Sequence, residues 1–454
     1  MRTQAKLRFA LVFAATVASL AVSEVLANYD DDADSLPSIY GMQSLALRCD
    51  TESKLRHVLA YRGQPGFDFL RVPRSPLESV DLLVTAERVA DFKDRLRAND
   101  IEFSVEHDDV AKIVDQLALE QERAEPWTMM QQQPQQQSHP RSRRDVGLFH
   151  KFPRYDEIEL YLRHLKALHN DTMDLFSIGK SYEGRDIWAV KISKSISARA
   201  RKPIMLIDAG IHAREWIAPT TALYAVHQLV DKPHNSYIFD QMDVYVIPVL
   251  NPDGYEFTHY NRTTRLWRKT MSGMSKKICM GVDANRNFDY QWMSVGASPY
   301  ACSSQYAGSR PFSEPETRAL RDFILSRRGL IKVYLTLHSY GNYMLFPWGF
   351  TSELPANEPV LRCAAELAES ALARVRGTRY KIGSSTNVLY AAAGGSDDWA
   401  MGVAGVDLVY TIELPGGSYK FTPPTSEILP VGQETFEAIK VFARYVTGDI
   451  CRGF

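Results

Sequence analysis

The chain has little net charge, no compositional bias and, beyond its N-terminus, no long apolar run. Lysine and arginine number 53 against 54 acidic residues, and the net charge of −1 gives no reason to expect a nucleic-acid partner. Hydrophobic residues make up 45% and charged residues 24%, a composition that excludes a disordered or fibrous protein. A membrane span needs roughly 20 apolar residues, so no membrane-embedded segment is expected. At 454 residues, the chain is long enough for two globular domains besides a targeting segment.

The N-terminus has the features of a secretory signal. Arg2, Lys6 and Arg8 precede an apolar stretch at residues 9–22, and small residues follow as far as Ala27. A basic start, a short apolar core and a small-residue cleavage site define such signals. We therefore expect residues 1–27 to be removed and the protein to be secreted into the extracellular space.

Five cysteines occur in this expected secreted context, in which disulfides persist. Cys279 and Cys302 lie close in the sequence, across a stretch with Gly, Asn and Ser, and are the favoured pair. The sequence leaves open whether Cys363 pairs with Cys451. Cys49 is the odd cysteine and lies in a segment that we expect to be removed.

Residues 28–126 form an acidic unit with the pattern of a small α+β domain. They carry 21 acidic and 12 basic residues, a net charge of −9, whereas the chain from Asp145 onward has a net charge of about +3. Apolar periodicity predicts strands at residues 57–61, 67–72, 80–85 and 101–105, and helices at residues 86–99 and from Val110 onward. An acidic unit that covers a mildly basic one is a natural inhibitory arrangement, but charge alone fits an ordinary solvated acidic surface equally well.

A polar linker at residues 127–144 separates this unit from the rest of the chain. Its glutamine-rich run cannot bury enough apolar surface to fold, so we expect it to be exposed. It ends in Arg141-Ser142-Arg143-Arg144, which suits trypsin-like and dibasic-processing proteases. We predict cleavage after Arg144, which would release a catalytic domain of residues 145–454.

The pattern of this C-terminal region predicts an α/β fold. Helical patterns alternate with short β-branched runs at residues 187–192, 204–207, 244–249, 333–337 and 408–412. Runs that are apolar without alternation are typical of parallel strands buried on both faces. We expect a central mixed, largely parallel sheet flanked by helices, with catalytic side chains at the strand ends and in the loops that follow them.

Two of these strand ends carry potential metal ligands. The H-x-x-E pattern of His212 and Glu215 follows one run, and His338 ends another. Two imidazoles and one carboxylate form a ligand set typical of a catalytic zinc ion, which lowers the pKa of a bound water to ~7. One Zn²⁺ is therefore the expected cofactor, and hydrolysis is the expected chemistry.

Seven segments, in order along the chain, match a single protein family. They are KSYEGR (180–185), HAREW (212–216), NPDGY (251–255), LWRKT (266–270), GVDANRN (281–287), LHSY (337–340) and GGSDDW (394–399). Together they resemble the secreted zinc carboxypeptidases of the pancreatic A/B type, and the resemblance covers nearly all of residues 150–447. The acidic unit before them is similar to the activation segment of those zymogens. The implied partners are peptide or protein substrates with a free C-terminus and an activating protease.

The resemblance also implies a role for each matching residue. His212, Glu215 and His338 match the zinc ligands, Glu413 the general base and acid, and Arg268 the group that stabilises the oxyanion. Nine further residues match substrate-binding positions: Arg214, Arg265, Asn285, Arg286, Ser339, Tyr340, Ser385, Tyr390 and Asp397. Among these, Asn285 and Arg286 match the clamp for the substrate's α-carboxylate, and Tyr390 matches the tyrosine that closes over the terminal residue.

The expectation about specificity depends on Asp397. In the resembled family, this position lies at the base of the pocket for the last side chain of the substrate, where an ionised carboxylate favours Lys or Arg. Ser385 adds polarity to the same pocket, and the adjacent Asp398 matches a structural aspartate. We therefore expect a B-type enzyme that removes C-terminal Lys and Arg. The alternatives are A-type specificity for aromatic or aliphatic ends, and a catalytically silent homologue that only binds peptides.

The chain departs from the family pattern at two places near the expected pocket. Phe288 stands where a tryptophan is usual, and residues 414–421 form a loop that is one residue shorter than in the pancreatic enzymes. Neither departure affects the expected metal ligands or Glu413. No large exposed apolar motif indicates an oligomer, so we expect a monomer.

Overall fold

The structure of the protein, a computed structural model, describes residues 38–72, 75–76, 78–124, 146–194, 196, 201–273 and 279–451. The expected signal segment, the glutamine-rich linker and the cleavage site at Arg144 lie outside the described residues. Within these ranges, no helix is both long and apolar enough to cross a bilayer.

The N-terminal unit is a small α+β domain, as the sequence predicts, and is called the prosegment below. Its elements are β1 (Gln43–Arg48), α1 (Glu52–Leu59), β2 (Phe67–Arg71), β3 (Ser79–Val84), α2 (Ala86–Ala98), β4 (Glu102–His107) and α3 (Val110–Arg123). The four strands form an antiparallel sheet in the order β2-β3-β1-β4. Strand β3 alternates, so that Leu82 packs with α1 and α2 on one face, whereas Leu83 packs with α3 on the other.

One predicted element of the prosegment is wrong. The sequence predicts a strand at residues 57–61, but this stretch is the end of α1 and the turn after it. Helix α1 begins at a capping residue, Thr51, whose side chain accepts a hydrogen bond from the backbone N–H of Lys54. Leu55 and Val58 are then buried on one helical face, and this cap and spacing override the β-branched character of the stretch.

Eight strands in the described part of the catalytic domain form one mixed sheet. They are β5 (Met173–Lys180), β6 (Asp186–Ile192), β7 (Ile204–Ala209), β8 (Asp243–Ile247), β9 (Ile331–Ser339), β10 (Tyr343–Phe346), β11 (Lys381–Ser384) and β12 (Leu408–Leu414). Their order is β11-β10-β12-β9-β7-β8-β6-β5, and the central strands β12, β9, β7 and β8 are parallel. The predicted fold class is confirmed, and all five predicted strands are present.

Helices cover both faces of this sheet. The α-helices are α4 (Tyr155–Leu168), α5 (Ile217–Asp231), α6 (Pro252–Thr258), α7 (Pro315–Leu325), α8 (Glu358–Arg376), α9 (Ser385–Val388), α10 (Ser396–Gly402) and α11 (Ile428–Val446). Short 3-10 helices lie at Val146–His150, Pro233–Phe239, Thr263–Leu266, Ala284–Arg286, Gly417–Tyr419 and Thr425–Glu427. Strand β7 alternates between the two cores: Met205 and Ile207 pack with α4, α5, α8 and α11, and Ile204 and Leu206 pack with α7 and α10. This burial on both faces explains why the central strands read as unbroken apolar runs.

Two disulfides join segments of the catalytic domain. Cys279 is bonded to Cys302, the pair that the sequence favours. Cys363 in α8 is bonded to Cys451 after α11, which answers the question that the sequence left open. Cys49 of the prosegment is buried and is not bonded to another cysteine of the described residues.

Candidate active site

The candidate site lies at the carboxyl ends of the central parallel strands. His338 is close to the end of β9 and stands opposite Glu413 of β12 in the register of the two strands. His212 and Glu215 lie in the loop that leads from β7 to α5. Because parallel strands end at the same edge of a sheet, residues from distant parts of the sequence meet there.

His212, Glu215 and His338 form a buried cluster whose atoms can bind one metal ion. These three potential ligands are called the metal cluster below. Nδ1 of His212 lies 2.8 Å from Oε1 of Glu215, Nδ1 of His338 lies 3.1 Å from Oε2 of Glu215, and the two Nδ1 atoms are 3.2 Å apart. The three ligand atoms all lie within 4.8 Å of one another. Two ring nitrogens this close, beside a carboxylate, need a shared proton or a cation between them. The donor set of two imidazoles and one carboxylate fits zinc.

The other ring nitrogens of both histidines are also bound by the protein. Nε2 of His212 lies 3.1 Å from Oδ1 of Asp283, and Nε2 of His338 lies 3.2 Å from the hydroxyl of Thr336. A carboxylate on the outer nitrogen fixes the ring orientation and leaves Nδ1 free for the metal. Sequence reasoning quoted Asp283 within the GVDANRN segment but gave it no role.

Asp283 also holds the side chain of Arg268 at the edge of the metal cluster. Nε and Nη2 of Arg268 lie 3.1 and 3.0 Å from Oδ2 of Asp283, and Nη1 lies 3.8 Å from Oε1 of Glu215. Although burial opposes it, Asp283 raises the pKa of the Arg268 guanidinium, so the group stays charged. A fixed positive charge therefore borders the cleft next to the metal cluster, where it can stabilise a developing oxyanion.

Glu413 lies on the same cleft, opposite His338. Burial raises the pKa of its carboxyl to about 8, and neighbouring Glu215 acts in the same direction. A carboxyl group that can hold a proton near neutral pH is suited to general acid and base catalysis.

A pocket with an acidic wall extends from the metal cluster. It is lined by Leu345, Gly349, Ser385, Ala392, Gly395, Asp397 and Thr411. Oδ2 of Asp397 accepts a hydrogen bond of 3.0 Å from the hydroxyl of Thr411, and only 7% of the residue is exposed. The adjacent Asp398 instead accepts a hydrogen bond of 2.9 Å from the backbone N–H of Gly349, a structural contact. Burial, with Asp397 beside it, raises the pKa of Asp398 well above its ordinary value.

Asn285 and Arg286 border the cleft between this pocket and Arg268. Oδ1 of Asn285 accepts a hydrogen bond from the backbone N–H of Ser396, and Nε of Arg286 donates to the carbonyl of Gly296 at 3.0 Å. These contacts hold an amide and a guanidinium beside the metal cluster, a pairing that suits a substrate carboxylate.

The prosegment covers the mouth of the cleft. Asp68, Phe69 and Leu70, on β2, lie among the residues that line it. Asp68 forms an ion pair with Arg214 of the catalytic domain, and although burial opposes it, Arg214 lowers the pKa of the Asp68 carboxyl. Tyr390 packs against the hydrophobic core of the prosegment. Strand β2 therefore lies across the cleft that contains the metal cluster.

The structure places most of the residues singled out from the sequence in one cleft. The residues that line it are His212, Arg214, Glu215, Arg268, Asn285, Arg286, His338, Ser339, Tyr340, Ser385, Tyr390, Asp397 and Glu413. Arg265 is not among them. It is buried against the ring of Trp216, 3.6 Å away, and donates to the carbonyls of Arg214 and Phe421. Arg265 therefore supports the cleft wall from behind, and its expected contact with substrate stays a prediction.

Two family models match the chain. The model described as zinc carboxypeptidase matches residues 158–438, and the model described as carboxypeptidase activation peptide matches residues 46–116. Carboxypeptidase B of Astacus astacus is 49% identical over 298 residues, which cover 64% of this chain and 96% of that protein. Carboxypeptidase B of Rattus norvegicus is 37% identical over 376 residues, covering 82% of this chain and 84% of that protein.

A solved structure extends the likeness to both domains. The crystal structure of carboxypeptidase A from Helicoverpa armigera superposes with a TM-score of 0.79 at 29% identity, covering 90% of this chain and 98% of that one. Its match includes the small N-terminal domain as well as the mixed sheet. With its possible metal triad and its matches to both family models, the chain belongs to the zinc carboxypeptidase family and is a metallocarboxypeptidase made as a zymogen.

Proposed function

We propose that this protein is a secreted zymogen whose activated form removes C-terminal Lys and Arg residues from peptides and proteins. The observation that carries the proposal is Asp397, a shielded carboxylate on the wall of the pocket next to the metal cluster. Among the described residues, its side-chain hydrogen bond comes from Thr411, a neutral group that leaves the negative charge uncompensated. A Lys or Arg side chain supplies the missing positive charge, whereas an apolar side chain leaves it buried and unpaired.

In the proposed reaction, each group of cleft residues has a separate role. Asn285 and Arg286 bind the terminal carboxylate, which restricts the enzyme to the last peptide bond. Glu413 takes a proton from the attacking water and passes it to the leaving amine, and Arg268 stabilises the negative charge on the former carbonyl oxygen. Zinc, held by His212, Glu215 and His338, supplies Lewis-acid chemistry when bound.

Activation completes the proposal. Strand β2 of the prosegment lies across the mouth of the cleft, and Asp68 forms an ion pair with Arg214. A substrate can therefore enter only after the prosegment leaves. Cleavage after Arg144 by a trypsin-like or dibasic-processing protease would separate the two domains. The relatives named carboxypeptidase B in Astacus astacus and Rattus norvegicus support the B-type assignment.

The substitution Asp397→Asn tests the specificity directly. In the activated protein, we expect kcat/KM for a peptide ending in Arg to fall about 100-fold or more, because a buried ion pair is lost. The same ratio for a peptide ending in Leu should stay constant or rise. Asp322→Asn, which neutralises an exposed carboxylate on α7, is the matched control and should change neither value. Equal losses for both peptides would contradict the proposed role of Asp397.

A further inference from the structure

The loop after β12 carries a lysine whose side-chain partners lie on the prosegment. Nζ of Lys420 donates to the hydroxyl of Ser44 on β1 at 2.8 Å and pairs with the carboxylate of Glu106 on β4. With the prosegment in place, only 8% of Lys420 is exposed. Both of these partners of the ammonium group belong to the prosegment, so departure of the prosegment uncovers a positive charge.

The backbone at Lys420 does not favour a lysine. Its φ is +55° and its ψ is −109°, in a region that glycine adopts freely and other residues adopt at a cost. The turn itself is closed by the backbone N–H of Lys420, which donates to the carbonyl of Gly416 at 2.9 Å and needs no side chain. Because neither the backbone conformation nor the turn requires a lysine, we infer that the positive charge of the side chain is the property that matters.

Lys420 stands at the mouth of the cleft. Its neighbour Phe421 lines the cleft, and the ring of Phe421 lies 4.1 Å from the Arg214 guanidinium and 5.0 Å from the ring of Tyr340. Because the terminal residue of a substrate fills the Asp397 pocket, the preceding residues must leave through this mouth. In the zymogen, prosegment residues occupy that exit.

Prosegment carboxylates cover two cations at this exit. Asp68 pairs with Arg214, and Glu106 pairs with Lys420. Although burial opposes it, Lys420 lowers the pKa of the Glu106 carboxyl, so both members of the pair are charged. The prosegment thus already places a carboxylate where an acidic side chain of a substrate would pass.

We propose that Lys420 of the activated enzyme binds an acidic side chain of the substrate, a few residues before the scissile bond. Preferred substrates would then carry Asp or Glu shortly before a C-terminal Lys or Arg. This inference rests on the proposed function, because it takes the terminal residue to be bound at Asp397. A cation at a solvent-facing exit acts mainly on binding, so the effect belongs in KM and should weaken with salt.

The test uses the activated enzyme and matched peptides that all end in Ala-Arg. Each peptide carries Glu, Gln or Lys at the third or fourth residue from its C-terminus. We expect KM for the best Glu peptide to be about fivefold lower than for its Gln counterpart, as for a rim ion pair, with similar kcat. Lys420→Gln should bring this ratio close to one, and Lys420→Arg should retain it. Lys332→Gln, which removes a lysine at the opposite end of β9, is the matched control and should retain the ratio.

Two results would overturn the inference. One is a wild-type enzyme that hydrolyses the Glu and Gln peptides with the same KM at low salt. The other is a Lys420→Gln variant that keeps the full preference. A peptide pair ending in Ala-Arg and Ala-Phe, without charged upstream residues, separates these failures from failure of the proposed function, because only the latter abolishes the preference for Arg.

Discussion

At the scale of single residues, the sequence indicates the candidate catalytic groups, whereas it does not indicate the partners that hold them. His212, Glu215, His338 and Glu413 lie at strand ends in a recognisable pattern, and the structure brings them together. The role of Asp283 depends on its proximity to His212 and Arg268, residues that are distant in sequence or separated by a loop. A ligating histidine needs a partner on its outer nitrogen, and this general rule is the signal by which such a residue could have been sought in the sequence.

A second carboxyl group is buried away from the cleft, where its ionisation costs free energy in the folded state. Glu316, in the first turn of α7, is fully buried, and Oε1 accepts a hydrogen bond of 3.0 Å from the backbone N–H of Tyr182. Oε2 has no hydrogen-bond partner among the described residues. Burial raises the pKa of this carboxyl to about 8, and Asp253 adds to the effect. The folded state therefore favours the protonated form, whereas the unfolded state releases the proton at about pH 4.5.

This shift predicts a pH-dependent cost that Glu316→Gln should remove. A raised carboxyl pKa lowers stability as pH rises from about 4.5 to about 8, because over that range only the unfolded state ionises freely. Glutamine keeps the acceptor for Tyr182 and carries no charge. We expect Glu316→Gln to raise the free energy of unfolding by about 2 kcal/mol near pH 9 and to change it little near pH 4.

Urea unfolding of the zymogen at the two pH values measures this difference. Glu366→Gln, at an exposed position of α8, is the matched control and should leave stability unchanged at both. A Glu316→Gln variant that is no more stable than the wild type near pH 9 would contradict the assignment.

At the scale of elements, the sequence located the buried strands of the large sheet better than the elements of the prosegment. Strands β7, β9 and β12 are covered on both faces, so their sequences are apolar throughout and are easily recognised. Strand β1 has a buried polar residue, Ser44, whose hydroxyl accepts a hydrogen bond from Lys420 of the catalytic domain. A polar residue at a buried position weakens the apolar pattern that marks a strand, and its partner in another domain is not visible in the local sequence.

Helix α3 also joins the prosegment to the catalytic domain, at contacts separate from those of β1, β2 and β4. Gln121 makes two hydrogen bonds with the backbone of Phe152: its Nε2 donates to the carbonyl at 2.7 Å, and its Oε1 accepts from the N–H at 2.8 Å. Asp115, on the same helix, forms an ion pair with Arg262 of the catalytic domain, with 2.8 Å between Oδ1 and Nε. Cleavage after Arg144 would not itself break these contacts, so we expect them to slow the release of the prosegment.

Gln121→Ala is therefore expected to speed activation. Loss of two hydrogen bonds at the interface should weaken prosegment binding by about 1–2 kcal/mol, or roughly tenfold in the rate of release. The rise of peptidase activity after a brief trypsin pulse measures that rate. Gln116→Ala, on the exposed face of the same helix, is the matched control, and equal rates for the two variants would contradict the role of Gln121.

At the scale of the whole molecule, the charges of the two domains and the placement of one against the other both contribute to covering the cleft. The acidic prosegment lies over a catalytic domain that is mildly basic, and its carboxylates reach the cations at the exit of the cleft. The charge asymmetry was visible in the sequence, and so was the order of the domains. The particular ion pairs were not, because they depend on how β2 and β4 are placed against loops of the catalytic domain. The departures seen in the sequence are of two kinds: Phe288 packs against the rings of Phe312 and Trp399, whereas the short loop carries Lys420, whose neighbour Phe421 lines the cleft.

The most direct measurement of the central claim is release of the last residue from matched peptides ending in Arg, Lys, Phe and Leu. It compares the zymogen with the form activated by trypsin, with and without a zinc chelator. We predict that only the activated protein is active, that it acts on the Arg and Lys peptides and leaves the other two nearly intact, and that the chelator abolishes this activity. Faster release of Phe or Leu, or activity that the chelator does not affect, would contradict the account.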